Sequence, residues 1–321
     1  MMRHRRPARV GDTGEFRLIG ILGRMVGAQR KNAALVKGMG DDCATIRPGS
    51  SRQLVTVDAF VEGVHFNRKW TSARDAGWKA LAANLSDIAA AGGRPQVAVI
   101  SLELPPAMEV SWVRGFYSGL LACARKYGVA VAGGNISRST HFASHITLIG
   151  EAPKIFISRS GARPGDVLAV TGALGGSLAG LLALNKGIRG ALVKRHIHPE
   201  PRLQEGRELA RVAHALIDIS DGLVHEAGLM AEASGVRMVL DAGMFPVHPS
   251  AKALAPRLKI SVEELAASSG EEYELLASLP RGKASWAMKR GMKIVGLVAK
   301  GRGVLIAGLP SRQVNGFDHF R

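Results

Sequence analysis

Two aspartates, Asp218 and Asp221, stand three apart in "ALIDISDGLVHEAG" (215–228), with Ser220 between them and Gly222 behind. An apolar run leads in and a helix-like run leads out. Three other stretches repeat the theme. "GMGDDCA" (38–44) sets Asp41 and Asp42 in a glycine-rich turn. "VTVDAFVEGVHF" (55–66) puts Asp58 at the end of a β-branched run, with Glu62 and His65 following. "NLSDIAAAGG" (84–93) places Asn84 and Asp87 at i, i+3, so both face one side of an otherwise Ala/Leu-rich helix. Carboxylates brought close repel, and one protonates unless cations sit among them. Hard dications take oxygen ligands, and Mg²⁺ is held by a few carboxylates with water and substrate phosphates completing its shell. A softer metal would want His or Cys pairs, which the sequence does not space appropriately. Taken singly, each cluster also has an ordinary reading: Asp41 as a turn residue, Asp58 as a strand end, Asp221 as a helix N-cap. Asp87 is the hardest to set aside, because an unpaired acid on an apolar helix is costly to bury. Together the clusters point to Mg²⁺ holding a polyphosphate.

No GxxxxGK[ST] loop and no GxGxxG fingerprint accompanies them. Two glycine turns are open candidates for the phosphate. "TGALGGSLAG" (171–180) follows a strand and opens a helix, and reads equally as an anion cradle or as a tight strand-to-helix turn. "VAVAGGNISRS" (129–139) reads as a strand and a Gly-Gly turn carrying Asn135 and Arg138.

The elements that must position these residues follow from hydrophobic period. Helices are expected over 14–28, 72–92 (capped by Ser72), 109–127, 175–186, 203–214, 222–234 and 261–268. Strands are expected over 53–60, 96–104, 129–134, 145–152, 167–171, 215–219, 236–240, 272–278, 293–299 and 303–307. A Gly/Pro-rich stretch, "RSGARPGD", interrupts the pattern near 153–165. Strands and helices mix on both sides of it, so the expected fold is α/β (α+β) in two domains, 14–153 and 154–321. Residues 1–13 are expected to be a basic, disordered arm.

The chain has 321 residues, 46% apolar and 21% charged, enough for a substantial core. Lys and Arg number 43 against 26 Asp and Glu, a formal charge of +17 that favours an anionic partner. A nucleic-acid or ribosome-binding protein is one such reading, but basic residues are not interleaved with aromatics and the acidic clusters would repel a phosphate backbone. Cys43 and Cys123 form no framework and no metal spacing. No apolar run reaches membrane-spanning length and no signal-peptide pattern is present, so the expected location is cytoplasmic.

The motifs "GEFRLI" (14–19), "GDDCA" (40–44), "VEGVHF" (61–66), "KALAANLSDIAAAGGRP" (79–95), "SRSGARPGD" (158–166), "HPEPR" (198–202), "IDISDGL" (217–223), "SGEEYEL" (269–275) and "GFDHF" (316–320) occur in order over nearly the whole chain. In these the sequence resembles the thiamine-monophosphate kinase family, within the wider superfamily of aminoimidazole ribonucleotide synthetase. The resemblance implies ATP- and Mg²⁺-dependent phosphorylation of thiamine monophosphate to thiamine diphosphate, an N-terminal domain that dimerises through its strands, and nucleotide between two domains. It implies Mg²⁺ at Asp42, Thr56, Val57 (through its carbonyl), Asp58, Asp87, Asn135, Asp218 and Asp221, with Asp58, Asp87 and Asp221 closest to catalysis. It implies ATP at Gly134, Asn135, Arg159 and Ser220, and thiamine phosphate at His65, Glu271 and Phe317. Where the family's glycine turn reads Gly-Gly-Asp-Thr-Thr, this chain has "GGNIS", so Asn135 offers an oxygen ligand without a charge. Glu272 stands where Asp is usual. Another ATP-using member of the superfamily with a different acceptor is the alternative enzyme reading.

Overall fold

The computed structural model describes residues 8–13, 15–28, 33–37, 45–47, 52–155, 157–188 and 190–309. Asp41, Asp42, Cys43 and Phe317 therefore lie outside the described residues. The chain divides into two compact units: residues 1–85 with 95–151, and residues 86–94 with 152–321.

In the first unit the strands are β1 (Leu35–Lys37), β2 (Thr45–Ile46), β3 (Gln53–Val61), β4 (Arg94–Leu104), β5 (Ala130–Arg138) and β6 (Ala143–Glu151). β1 and β2 form a small antiparallel pair. The other four make a sheet in the order β3-β6-β4-β5, antiparallel between β3 and β6 and parallel between β4 and β5. Along β6 buried and half-buried residues alternate, the period-two signature of a sheet with one covered face. Ile100, Leu102, Ile146 and Leu148 are buried, as are Leu81, Leu85, Val113, Phe116 and Leu120 of the helices Ala73–Ala90 and Val110–Tyr127. Phe60, Phe66, Trp112, Phe116 and Phe142 stack at one end, with Phe60 and Phe66 parallel at 4.8 Å.

Ser72 caps the first long helix as its sequence predicts: its Oγ accepts from the Asp75 amide at 3.1 Å and donates to the Asp75 carboxylate at 2.6 Å. Gly128, left-handed at φ 74°, ends the second. The two helices cross backbone to backbone. A Cβ on Gly119 would lie 1.7 Å from the Arg74 carbonyl oxygen, and one on Gly77 would lie 1.8 Å from that of Phe116. No rotamer change relieves such contacts, so Gly119→Ala is expected to cost about 3 kcal/mol, read as a lowered urea midpoint with an unchanged slope.

Of the basic arm, residues 8–13 are ordered. Arg9 bridges Glu109, the Val10 amide donates to the Met108 carbonyl, and Val10–Thr13 is helical. Backbone pairing to residues 106–110, which charge counting does not reveal, holds this stretch.

The second unit contains β7 (Val167–Val170), β8 (Ala215–Asp218), β9 (Arg237–Asp241), β10 (Leu275–Leu279), β11 (Lys293–Ala299) and β12 (Gly303–Ala307). Their order is β12-β9-β11-β7-β10-β8, antiparallel throughout except for the β12–β9 pair. Leu168, Val170, Ile217, Leu276, Val295 and the helix residues Leu223, Ala227 and Met230 share one core. A smaller core joins the helices Gly176–Asn185, Ala191–Ile197, Pro249–Leu258 and Val262–Ser268 through Ala179, Leu192, Ala251, Ala255 and Leu265. The architecture is mixed α/β, as the element pattern predicts. Among the described residues no helix is long and apolar enough to cross a membrane.

Candidate functional site

The second unit gathers the "DISDGL" turn, the last turn of the helix Ala73–Ala90 and the "SGEEYEL" segment. β8 is buried along its whole length and ends at Asp218, opposite Leu275. The Asp218 carboxylate is itself buried and accepts a 2.7 Å hydrogen bond from Ser86 Oγ, a buried side chain. Ser86 immediately precedes Asp87, so a single contact ties the Asp87 turn to the Asp218 strand end. Sequence reasoning missed Ser86; its place inside "NLSD" was the available signal. Asn84, one turn earlier, is fully buried. Its amide donates to the Ala80 carbonyl, and its Oδ1 has no partner among the described residues.

Beyond Asp218 the chain turns through Ser220 and Asp221 into the helix Leu223–Ser234. The buried Glu226 carboxylate accepts from the Asp221 amide at 3.1 Å and from Ser220 Oγ at 3.3 Å, which closes the turn. Burial pushes the Glu226 carboxyl above its ordinary range; the Asp221 amide opposes that shift and the Asp221 charge adds to it. Gly222 sits at φ 123°, a backbone conformation that side-chain-bearing residues avoid.

The "SGEEYEL" segment runs beside this turn without being strand. The Glu271 amide donates to the Ser220 carbonyl at 2.6 Å, the Tyr273 amide to that of Ile219 at 2.9 Å, and the Ile219 amide to that of Glu274 at 2.7 Å. Glu271 and Tyr273 are left-handed, at φ 55° and 53°. A non-glycine residue there costs on the order of 1 kcal/mol, and two in three residues mark a conformation imposed from outside. The expected strand over 272–278 consequently begins only at Leu275.

The imposing groups are a buried charge network. Glu274 accepts from Arg202 Nε (2.8 Å) and Nη2 (2.6 Å), Arg195 Nη2 (2.8 Å) and Thr171 Oγ1 (2.6 Å). Glu272 accepts from Ser269 Oγ (2.6 Å), the Ser177 amide (2.9 Å) and Arg195 Nε (3.2 Å). The "TGALGGSLAG" turn does open a helix, but its first amides are taken: Ser177 by Glu272, Leu178 by Ser269 Oγ. The anion at that helix start is the protein's own carboxylate, so the cradle reading gives way to the turn reading. Glu271 keeps its carboxylate part-exposed, 3.5 Å from Nδ1 of the buried His196. Arg159 is exposed beside Ser158, whose carbonyl accepts from the Leu216 amide of β8.

In the first unit Thr56, Val57 and Asp58 lie on the edge strand β3, Thr56 and Asp58 half-buried and Val57 61% exposed. His65 turns back onto that strand: its Nδ1 accepts from the Val61 amide at 3.1 Å and its ring stacks on Phe60. The ring proton therefore belongs on Nε2 when His65 is neutral. The buried Lys79 donates to the His65 carbonyl at 3.2 Å. Gly134 and Asn135, both exposed, lie on the opposite edge strand, β5, facing Ile100 and Ser101 of β4. No turn interrupts "GGNIS". The strand runs on to Arg138, because a Cβ on Gly134 would meet the Ile100 carbonyl at 1.7 Å and glycine lets the ladder continue.

The donors at these positions are carboxylate, amide, hydroxyl and carbonyl oxygens, the set a hard dication such as Mg²⁺ takes. The orphaned Asn84 oxygen adds one more. By donor chemistry the residues fit magnesium.

Family models for the AIR synthase related protein match this chain, the N-terminal domain over residues 40–152 and the C-terminal domain over 163–306. The thiamine-monophosphate kinase of Aquifex aeolicus is 36% identical over 97% of this chain and 100% of its own length. That of Bacillus subtilis is 37% identical over 75% and 77% respectively. A crystal structure of thiamine-monophosphate kinase from Stenotrophomonas maltophilia superposes with a TM-score of 0.81 at 30% identity, covering 92% of this chain and 97% of that one. A structure described as AaThiL complexed with AMPPCP and TMP gives 0.80 at 35% identity, covering 98% and 100%.

Proposed function

The chain belongs to the thiamine-monophosphate kinase family, within the AIR synthase related proteins, and from that premise we propose how its residues carry out the reaction. It is a phosphotransferase that phosphorylates thiamine monophosphate with ATP. The observation that carries this reading is full-length similarity to a kinase seen with both AMPPCP and TMP.

The acceptor phosphate is ionised near neutral pH and needs no strong general base, so catalysis rests on alignment and charge neutralisation. Magnesium, bound by Asp58, Asp87, Asp218 and Asp221 with oxygens from Thr56, Val57, Asn135 and Asp42, would supply that neutralisation. Ser86 fixes the carboxylate of Asp218 through its 2.7 Å hydrogen bond. Glu226 holds the Ser220–Asp221 turn shut. Gly134 and Asn135 on the exposed edge strand β5, and Ser220 and Arg159, are the residues that would contact the nucleotide. Glu271, held left-handed by its 2.6 Å amide bond to Ser220, would pair its carboxylate with the amino-bearing ring of thiamine, and His65 and Phe317 are the other residues proposed to bind that substrate. The experiment is purified protein with ATP and thiamine monophosphate, following ADP and thiamine diphosphate. The expected result is stoichiometric formation of both. ADP formed only with a different acceptor in a substrate panel would instead place the chain with another superfamily chemistry, the reading Asn135 leaves open.

The protein is a homodimer formed through the first unit's sheet. Val55 (66% exposed) and Val57 (61%) stand on β3 opposite Ile149 and Thr147 of β6, an apolar row on a sheet edge. The pair Val55→Lys, Val57→Lys is expected to halve the mass measured by light scattering. An unchanged mass would place the interface elsewhere.

A further inference from the structure

We propose that His196 is a positioning residue for the acceptor: its Nδ1–H holds the Glu271 carboxylate in the orientation that receives the amino-bearing ring of thiamine monophosphate. His196 acts through Glu271, so the proposal rests on Glu271 meeting that ring.

The placement of His196 starts at Gly180. The helices Gly176–Asn185 and Ala191–Ile197 cross there backbone to backbone: a Cβ on Gly180 would lie 2.3 Å from the Leu192 carbonyl oxygen and 3.0 Å from the His196 Cβ. Ser177 stands one turn before Gly180 and His196 one turn after Leu192, so both face the crossing. Both side chains are buried, and Ser177 Oγ lies 3.1 Å from His196 Nδ1. Glu271 Oε2 lies 3.5 Å from the same nitrogen. A lone pair on Nδ1 would face the carboxylate, so that nitrogen carries the proton, shared between the serine oxygen and the carboxylate.

The preceding residue repeats the pattern. Arg195 reaches Glu272 and Glu274 while His196 reaches Glu271, so the end of one short helix supplies a basic partner to each of the three acids. Glu272 and Glu274 are buried, but the Glu271 side chain remains 26% exposed. Its backbone is pinned at φ 55° by the amide bond to the Ser220 carbonyl, and its tip is held by His196. The carboxylate is thus arranged before substrate arrives, with part of it open to a ligand.

The test compares His196→Leu, His196→Asn and Glu271→Gln in the full-length protein, each checked for folding by thermal unfolding. Steady-state rates are measured with thiamine monophosphate and with an analogue carrying a ring carbonyl in place of the amino group. His196→Leu is expected to raise KM for thiamine monophosphate about tenfold, with kcat and the KM for ATP near wild type. It should also narrow the preference for the amino substrate by a similar factor, because the carbonyl analogue offers the carboxylate no N–H. His196→Asn, whose amide nitrogen can stand where Nδ1 stands, should recover most of both losses. His196→Gln, which carries its amide farther out, gives the same readout as His196→Leu if the leucine variant does not fold. Unchanged KM and preference in His196→Leu, beside a Glu271→Gln that loses both, would overturn the proposal alone. Unchanged KM and preference in Glu271→Gln would remove Glu271 from the ring and overturn both assignments. A loss in His196→Leu that falls equally on ATP and that asparagine does not rescue would make His196 structural and overturn the proposal.

Discussion

Asp87→Ala is expected to lower kcat by about 10³-fold or more, roughly 4 kcal/mol of transition-state stabilisation, while the protein stays folded. The two halves of that expectation have different origins. The loss of rate follows from removing a carboxylate from a helical turn that is tied directly to the Asp218 strand end. The tie is the Ser86 hydroxyl, not Asp87, so it persists in the variant. Alanine is the best helix former and fits a half-buried position flanked by the buried Ile88 and Ala89. Thermal unfolding should move by a few degrees at most. The measurement is single-turnover phosphorylation at saturating Mg²⁺ beside a melt. A folded variant that turns over at the wild-type rate would remove Asp87 from the reaction and, with it, the reason for acid on this helix.

What could be read in advance follows from how locally each feature is determined. The helix Ala73–Ala90 is specified by its own cap and period, and the strand ending at Asp218 by an apolar run, so those acid-bearing ends were legible, whereas Asp58 lies inside β3, which runs on to Val61. Features set by distant partners were not. Glu272 lies 95 residues from the Ser177 amide it occupies, so "TGALGGSLAG" kept its anion-cradle appearance until the two met. Glu271 and Tyr273 adopt left-handed backbone that their side chains resist, so the apolar pattern around them read as strand. "GGNIS" looked like a turn because glycine pairs usually make one. Here the second glycine is required by the close approach of the Ile100 carbonyl, a fact about the neighbouring strand. The helix Pro249–Leu258 escaped notice because Pro256 falls inside it. The resemblance supplied roles for Glu271 and Asn135 that their own surroundings in sequence would not have suggested.

Glu274→Ala is expected to be the most destabilising of these substitutions, by about 3–5 kcal/mol. The side chain is 1% exposed and accepts four hydrogen bonds, three of them from Arg195 and Arg202. Truncation leaves two guanidinium groups, each about three-quarters enclosed, facing one another without their shared anion. Their repulsion opens the wall behind the Glu271–Tyr273 segment, whose strained backbone then relaxes. The loss in urea-measured stability should therefore come with a raised KM for thiamine monophosphate. Acid titration separates this charge effect from simple cavity formation. Burial raises the Glu274 pKa, but the Arg202 charge and hydrogen bonds, then Arg195 and Thr171, outweigh it and hold the carboxyl below its ordinary range. A depressed folded pKa contributes stability that is complete above the unfolded value, near 4.3, and is lost as pH falls through the lower folded value. The wild type should lose this increment in acid and Glu274→Ala should not, so the two stability curves converge below about pH 4. Parallel curves across the whole range would mean that packing, not the ion pairs, holds this segment in its left-handed shape.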